Sequence, residues 1–151
     1  MFADFFQFYF IDDEAEPSIP SDITDEDLQR RIKIAPHIVV VYPARNMTVP
    51  VVVEVHDSEP SHDLAEWDHV TECSIDVPSG RLAILGCTDY LPDAARIQIP
   101  AGCYRVRVLH GGLGTLSEDG LEGDDHYKVV LWRGSPQDVT VVKQTTYEVR
   151  G

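Results

Sequence analysis

Short runs of β-branched and aromatic residues, separated by proline and glycine, constrain the fold of this chain more than any other feature. Each run has the length and composition of a strand, and turn-forming residues interrupt the runs before a long helix could form. Pro50 marks one run as an edge strand or the start of a bulge, because proline cannot donate a hydrogen bond to a neighbouring strand. The predicted strands are Phe5–Ile11, His37–Tyr42, Thr48–His56, Trp67–Val77, Arg81–Leu85, Arg96–Ile99, Cys103–Leu109, His126–Arg133 and Asp138–Val142.

Two turns share one sequence pattern, with proline at the second position and glycine at the fourth. They are Val77-Pro78-Ser79-Gly80 and Ile99-Pro100-Ala101-Gly102. Proline presets the φ angle of a type I turn, and glycine takes the left-handed conformation that returns the chain. The pattern therefore predicts two hairpins, one pairing residues 66–77 with 81–85 and the other pairing 96–99 with 103–109.

One segment has the features of a helix. Thr24 is a suitable N-cap for Asp25–Lys33, whose first turn is acidic and whose last turns are basic, so the charges complement the helix dipole. Many short strands and one short helix predict a single all-β domain, spanning residues 1–151. The predicted architecture is an antiparallel β-sandwich (jelly-roll-like), and a β-barrel is the main alternative.

The charge of the chain is strongly negative and unevenly distributed. The sequence contains 26 acidic and 12 basic residues, for a formal net charge of −14. This balance argues against direct nucleic-acid binding, which needs clustered Lys and Arg. Residues 1–27, 46–80 and 108–127 contain no Lys or Arg. We interpret these segments as an acidic surface for a basic protein partner, for example the DNA-binding groove of a nuclease. The alternative is that acidic loops only keep the domain in solution.

The predicted partner contacts are closely spaced acidic residues in the first and third of these segments. No cation site is predicted among them, because Ser117–Asp125 lacks the regular spacing of a calcium loop. No cofactor is predicted, because the glycine-rich segment His110–Thr115 lacks the lysine and the helix that hold a phosphate. The predicted partner-binding residues are Asp12, Asp13, Glu14, Glu118, Asp119, Glu122, Asp124 and Asp125.

The cysteine and histidine residues form no catalytic or metal-binding motif. Cys73, Cys87 and Cys103 are odd in number and widely spaced, which favours reduced thiols over a disulfide framework. No CxxC or HExxH spacing is present, so no metal site is predicted. His69 shares its predicted strand face with Cys73, which predicts a packed core histidine. The competing hypothesis is a small enzyme or ligand-binding barrel, with a site built from His69, Cys87 and loop carboxylates.

Aromatic residues crowd the N-terminal segment, among acidic residues and no basic ones. This composition argues against a secretion signal, and no apolar run reaches the roughly 20 residues of a membrane-spanning helix. A cytoplasmic location without membrane association is therefore predicted. The aromatic residues form either a central strand buried on both faces or the exposed contact of a homodimer. They are Phe2, Phe5, Phe6, Phe8, Tyr9 and Phe10.

Several short patches, in order along the chain, resemble the competence protein J family. They are Phe6–Phe10, Thr24–Glu26, His37–Tyr42, Ala44–Asn46, Asp57–Glu59, Ile99–Tyr104 and Asp125–Val130. The known member of that family inhibits the DNA-entry nuclease of naturally transformable bacteria. The resemblance therefore implies a non-enzymatic inhibitor of a nuclease, and it implies no particular contact residues. The chain departs from the family pattern in the long loop His110–Asp125 and in the extension from Gly134.

Overall fold

The structure is a computed structural model that describes residues 8–15, 24–42, 51–86, 95–115 and 123–144. Within these residues the chain forms ten strands and one short α-helix, α1 (Asp25–Arg30). The strands are β1 (Phe8–Asp12), β2 (Ile32–Ala35), β3 (Ile38–Val41), β4 (Val51–His56), β5 (His69–Val77), β6 (Arg81–Gly86), β7 (Ala95–Gln98), β8 (Gly102–Gly111), β9 (His126–Arg133) and β10 (Thr140–Lys143).

The strands form two five-stranded sheets, which confirms the predicted all-β sandwich. The first sheet has the order β2-β3-β1-β6-β7, and the second has the order β10-β5-β8-β9-β4. The strand pairs are antiparallel except that β4 runs parallel to β9. As Pro50 predicted, β4 lies at an edge. Its parallel direction departs from the predicted antiparallel arrangement, because strands distant in sequence can pair in either direction.

The main core lies between the sheets, and a smaller cluster covers the outer face of the first sheet. β1 is the middle strand of that sheet. Phe8 and Phe10 point into the main core, whereas Tyr9 packs on the outer side beneath Leu28 of α1. These three aromatic residues therefore belong to a central strand buried on both faces. The aromatic residues at positions 2, 5 and 6 lie outside the described residues.

The two proline–glycine turns are corners between the sheets, so both predicted hairpins were wrong. β5 pairs with β8 and β6 pairs with β7, each pair within its own sheet. The turns lie side by side, and the N–H of Ile99 donates to the carbonyl of Gly80 at 2.8 Å. Local sequence sets the turn conformation, but the sheet that each following strand joins depends on burial across the whole domain.

The helix is shorter than predicted, because the chain turns sharply after Arg30. Arg31 adopts a left-handed conformation with φ 60°, and its N–H donates to the carbonyl oxygens of Asp27 and Leu28. The chain then enters β2, whose first two residues, Ile32 and Lys33, were predicted as the end of the helix. Left-handed caps usually carry glycine, so an arginine in that position gave no stop signal. The N-cap prediction is confirmed, since Thr24 accepts from the N–H of Asp27 at 3.1 Å.

The two ends of the sandwich differ in the elements they contain. We call one the corner end, because it holds both corners, residues 77–81 and 99–102. We call the other the loop end, because β5 begins there and the segment from Gly112 leads to β9. Asp68 joins two parts of the loop end, since its carboxylate accepts from the N–H of Leu113 at 2.8 Å.

Candidate partner-binding surface

Asp12 was predicted to contact a partner, but it is fully buried at the corner end. Its carboxylate accepts from the Ser79 N–H at 2.9 Å and from the Ser79 hydroxyl at 2.8 Å. It also accepts from the N–H groups of Glu14 and Ala15. Burial acts to raise the pKa of Asp12, but these hydrogen bonds outweigh it and the pKa is lowered. The carboxylate therefore fastens β1 to a corner. Because it is buried, Asp12 is not available to contact a partner, which corrects its predicted role.

Asp13 and Glu14 lie at the same end, where arginines offset their charge. Asp13 accepts from Arg96 Nε at 2.9 Å and lies 3.4 Å from Arg81 Nη2, with only 10% of its side chain exposed. Glu14 is 61% exposed and lies 3.8 Å from the other nitrogen of Arg81. Of the predicted acids at the corner end, Glu14 is thus the one that a partner can reach.

The predicted acids of the third segment lie at the opposite end, so the predicted site does not form one surface. Asp125 is fully buried and accepts from the Tyr127 hydroxyl at 2.6 Å, which corrects its assignment as a contact residue. Asp124 is exposed. Positions 118, 119 and 122, where the other predicted acids stand, lie outside the described residues.

The segment between β4 and β5, residues 57–68, crosses the outer face of the second sheet, and we call it the cross-sheet loop. It leaves β4 at one edge of the sheet. Near the other edge, Lys143 of β10 donates to the carbonyl of Leu64 at 2.8 Å. Leu64 and Trp67 pack on the outer face of the sheet, so the loop is held by an apolar contact as well. That outer-face cluster consists of Val70, Leu109, Val130 and Trp132.

Arg107 of β8 fixes the first half of the cross-sheet loop. Its Nη1 donates to the carbonyl of Pro60 at 2.7 Å and lies 2.8 Å from Nδ1 of His62. Its Nη2 lies 3.4 Å from the carboxylate of Glu59. One guanidinium therefore contacts three residues of the loop.

The guanidinium of Arg107 is itself held in place by the sheet. Its Nε donates to Glu72 of β5 at 2.9 Å, and its central carbon lies 5.0 Å from the centre of the Trp132 ring. The side chain is almost completely buried between the sheet and the loop. A planar cation that is stacked and hydrogen-bonded in this way has little conformational freedom. The loop residues that it contacts are therefore held in one position.

The cross-sheet loop displays acidic residues outward and contains no Lys or Arg. Asp57, Glu59, Asp63 and Glu66 are all exposed. The basic-free segment that contains them is visible in the sequence, but these four acids were not among the predicted contact residues. The predicted contacts were nearly consecutive acids, whereas these are spaced two to four residues apart. Their spacing along one loop was the signal that could have found them.

His69, the histidine of the hypothetical enzyme site, is not accessible to a substrate. His69 is fully buried, and its Nε2 lies 2.7 Å from the carbonyl of Arg30. Burial lowers the pKa of His69 to about 4. Burial also raises the pKa of the thiol of Cys73, on the same face of β5, to about 12, which leaves it unreactive as a nucleophile. Cys87, the thiol of that hypothetical site, lies outside the described residues.

A cleft of about 360 Å³ lies between α1, β2 and the segment before β10. Its charged groups already neutralise one another. Asp27 accepts from Lys33 at 2.8 Å and from Arg30 at 3.1 Å. Burial acts to raise the pKa of Asp27, but hydrogen bonds from Lys33, Thr24 and Arg30 hold it at about 2. The charged groups that line the cleft are therefore engaged in ion pairs that stabilise the helix.

Two further properties of the described residues bear on function. No group of three His, Cys, Asp or Glu side chains in this part of the chain is arranged to hold a metal ion. None of its helices has the length and apolar character needed to cross a membrane.

By its fold the chain is a small β-sandwich with an acidic loop over one outer face. Within that class it is similar to ComJ, the inhibitor of the DNA degrading activity of NucA from Bacillus subtilis. The identity is 15% and the TM-score 0.68, over 87% of this chain and 91% of ComJ. It is also similar to the protein of crocagin biosynthetic gene J, with 21% identity and a TM-score of 0.55 over 88% of this chain and 93% of that one.

No known family matches, and no curated protein matches in sequence. The predicted resemblance to the competence protein J family is confirmed for the fold.

Proposed function

We propose that this chain is a non-enzymatic acidic binding protein that inhibits a basic nuclease, and that it acts in the cytoplasm. The observation that carries the proposal is the cross-sheet loop, which presents four exposed carboxylates on a segment that Arg107 holds in place. A fixed array of carboxylates suits a surface built to bind phosphates, because it places negative charge where DNA would place its own. The similarity in fold to ComJ supports an inhibitor of this type.

Preorganisation is what makes this loop a better candidate than acidic residues in general. A mobile acidic segment must be ordered on binding, and each immobilised side chain costs about 0.5–1.5 kcal/mol. The contacts of Arg107, Leu64 and Trp67 meet part of that cost during folding. Asp124 and Glu14 are further proposed contacts, together with the predicted acids at positions 118, 119 and 122. The cytoplasmic location is supported by Cys73 and Cys103, which are free thiols.

Capture from a bacterial lysate tests the proposal directly. The immobilised full chain is incubated with lysate at low and at high salt, and the bound proteins are identified by mass spectrometry. We expect a basic nuclease to be retained at low salt and released at high salt, because screening weakens attraction between exposed charges. Purified chain should then slow DNA degradation by that nuclease. Retention of no nuclease, or retention without inhibition, would contradict the proposed function.

Matched triple variants test whether the cross-sheet loop is the surface involved. One variant carries Asp57→Asn, Asp63→Asn and Glu66→Gln. The control makes the same change in net charge elsewhere, through Asp25→Asn, Asp76→Asn and Asp138→Asn.

We expect the loop variant to associate about tenfold more slowly with the nuclease at low salt, and the control to change by less than about threefold. Surface plasmon resonance at two salt concentrations measures both rates. Equal effects of the two variants would contradict the assignment of the surface, even if the nuclease is bound. The single variants Glu14→Gln and Asp124→Asn test the other two exposed acids in the same assay.

A further inference from the structure

We propose that the contact between His62 and Arg107 is a pH-dependent latch, which holds residues 57–63 of the cross-sheet loop in place at neutral pH and releases them on acidification. The latch itself is a property of this chain alone. Its consequence for a basic partner rests on the proposed function.

The geometry of the contact requires a neutral histidine. A guanidinium has five N–H donors, no acceptor, and keeps its proton at every pH that a protein survives. Nδ1 of His62 lies 2.8 Å from Arg107 Nη1, so Nδ1 must be the acceptor and any ring proton must be on Nε2. Protonation of Nδ1 would leave two donors and two positive charges facing each other at that distance. The contact therefore exists only while His62 is neutral.

The charged groups around His62 oppose its protonation on balance. Arg107 on β8 and Lys128 on β9 are cationic, and His56 on β4 adds to them when protonated. Glu54 on β4 has the opposite effect, but it already lies 3.0 Å from Lys128 Nζ and 2.9 Å from His56 Nε2.

Two further acids near the contact form ion pairs with the arginine rather than with the histidine. Glu59 of the loop and Glu72 of β5 both lie against the guanidinium of Arg107. Burial, Arg107 and Lys128 lower the pKa of His62 below its usual value of 6.5.

The direction of the pH effect follows from these charges. The pKa of His62 is lowered while the loop is latched and returns toward 6.5 when the loop is released. Acid therefore favours the released state. The latch is complete above about pH 6.5 and weakens as the pH falls toward the lowered pKa.

Release is limited to the first half of the loop. Leu64 and Trp67 hold the second half through apolar packing that does not titrate. Asp57 and Glu59 lie in the half that is released, whereas the Asp63 carboxylate also accepts from the Ala65 N–H of the second half at 3.0 Å. Acidification would thus remove the fixed positions of two of the proposed contact residues and add a positive charge beside them, and both changes would weaken binding to a basic partner.

Limited proteolysis of the full chain, without any partner, tests the latch. Cleavage within residues 57–63 is measured at neutral and mildly acidic pH and corrected for the effect of pH on the protease, with an unstructured peptide as the reference. We expect protection in this segment to fall about tenfold on acidification, the loss expected for one hydrogen bond to a charged group. Cleavage within β8 and β9 is the internal measure of global unfolding, and the loss of protection in residues 57–63 must exceed any loss in these strands.

Three variants separate the latch from other causes. In His62→Asn the amide oxygen can accept from Arg107 at any pH, so protection should persist in acid. In His62→Ala the protection should already be low at neutral pH. His56→Asn is the matched control, since it removes a neighbouring histidine and should keep the acid response.

An acid response that persists in His62→Asn, or no response in the original chain, would overturn the latch. Neither result depends on a nuclease. If a nuclease has been identified by capture, its affinity should fall on acidification for the original chain and not for His62→Asn. The absence of an acid response in the original chain contradicts the latch alone, whereas absence of any nuclease contradicts only the proposed function.

Discussion

Asp12 and Glu14 are two residues apart and carry the same charge, but the structure gives them different roles. Asp12 is buried and accepts four hydrogen bonds from backbone and side chain donors. Glu14 is mostly exposed and makes one long ion pair. Sequence reasoning placed both on a partner surface because a charge run is visible in the sequence and burial is not. The burial of His69 and Cys73 was predicted correctly, because alternation along β5 places both side chains on one face of the strand.

Asp12→Asn tests this difference at the residue scale. The amide nitrogen would face an N–H or O–H donor that the carboxylate now satisfies, so we expect a loss of about 2–3 kcal/mol in the free energy of unfolding. The control Glu14→Gln should change it by less than about 0.5 kcal/mol, since its ion pair is exposed. Urea denaturation at neutral pH measures both. Equal transition midpoints for the two variants would mean that Asp12 does not fasten the corner.

The two corners show that strands and turns can be predicted correctly while the pairing of the strands is predicted wrongly. Each proline–glycine turn was recognised correctly as a turn, and β5, β6, β7 and β8 all formed near their predicted positions. Their pairing was wrong because a turn of this kind fits a hairpin and a sheet-to-sheet corner equally well. β2 was missed for a related reason, since the residue that ends the helix is an arginine rather than a glycine.

Gly80→Ala is the test of the paired corners. Gly80 has φ +72°, and a Cβ there would lie 2.5 Å from the carbonyl oxygen of Ile99 in the other corner. The strained backbone and the contact with a main-chain atom should together cost at least about 2 kcal/mol. The control is Gly111→Ala, where a Cβ would meet only the end of the exposed His126 side chain, which can move aside. We expect that change to cost less than about 1 kcal/mol, and thermal unfolding of both variants provides the comparison.

At the scale of the whole molecule, the sandwich buries a group of polar side chains between its sheets. His69 on β5, His110 on β8 and Tyr127 on β9 are cross-strand neighbours, and adjacent rings meet edge to face at 5.2 and 5.1 Å. Both histidines are fully buried. Neither ring nitrogen of His110 has a hydrogen-bond partner among the described residues. Burial lowers the pKa of His110 well below its usual value, with His69 and Arg31 adding to the effect.

This arrangement predicts a loss of stability in mild acid. The pKa of His69 is about 4 in the folded chain and about 6.5 when unfolded, so the unfolded state binds more protons between these values. The resulting stability is complete above about pH 6.5 and is lost as the pH falls toward 4, by on the order of 3 kcal/mol for His69. Buried carboxylates such as Asp27 contribute only at lower pH, because the pKa of Asp27 is about 2.

His110→Leu separates the histidine contribution from the rest. It removes two unsatisfied ring nitrogens and one titrating group, so the free energy of unfolding should fall less steeply between pH 6.5 and 4 than in the original chain. Denaturant titrations at several pH values give the two slopes. An unchanged slope would show that His110 does not titrate differently on folding.

Local sequence was enough to predict the kind of fold, the positions of most strands, the N-cap at Thr24 and the concentration of acids in three basic-free segments. These properties depend on local alternation, turn residues and composition, which a linear sequence records. Which strands share a sheet and which acids are exposed depend on the folded domain. The folded domain also decides that Arg107, a residue of β8, fixes a loop that lies 39 to 50 positions earlier in the chain. Contacts of this range depend on the burial of both partners at once, so only the folded chain brings His62, Pro60 and Glu59 onto one guanidinium.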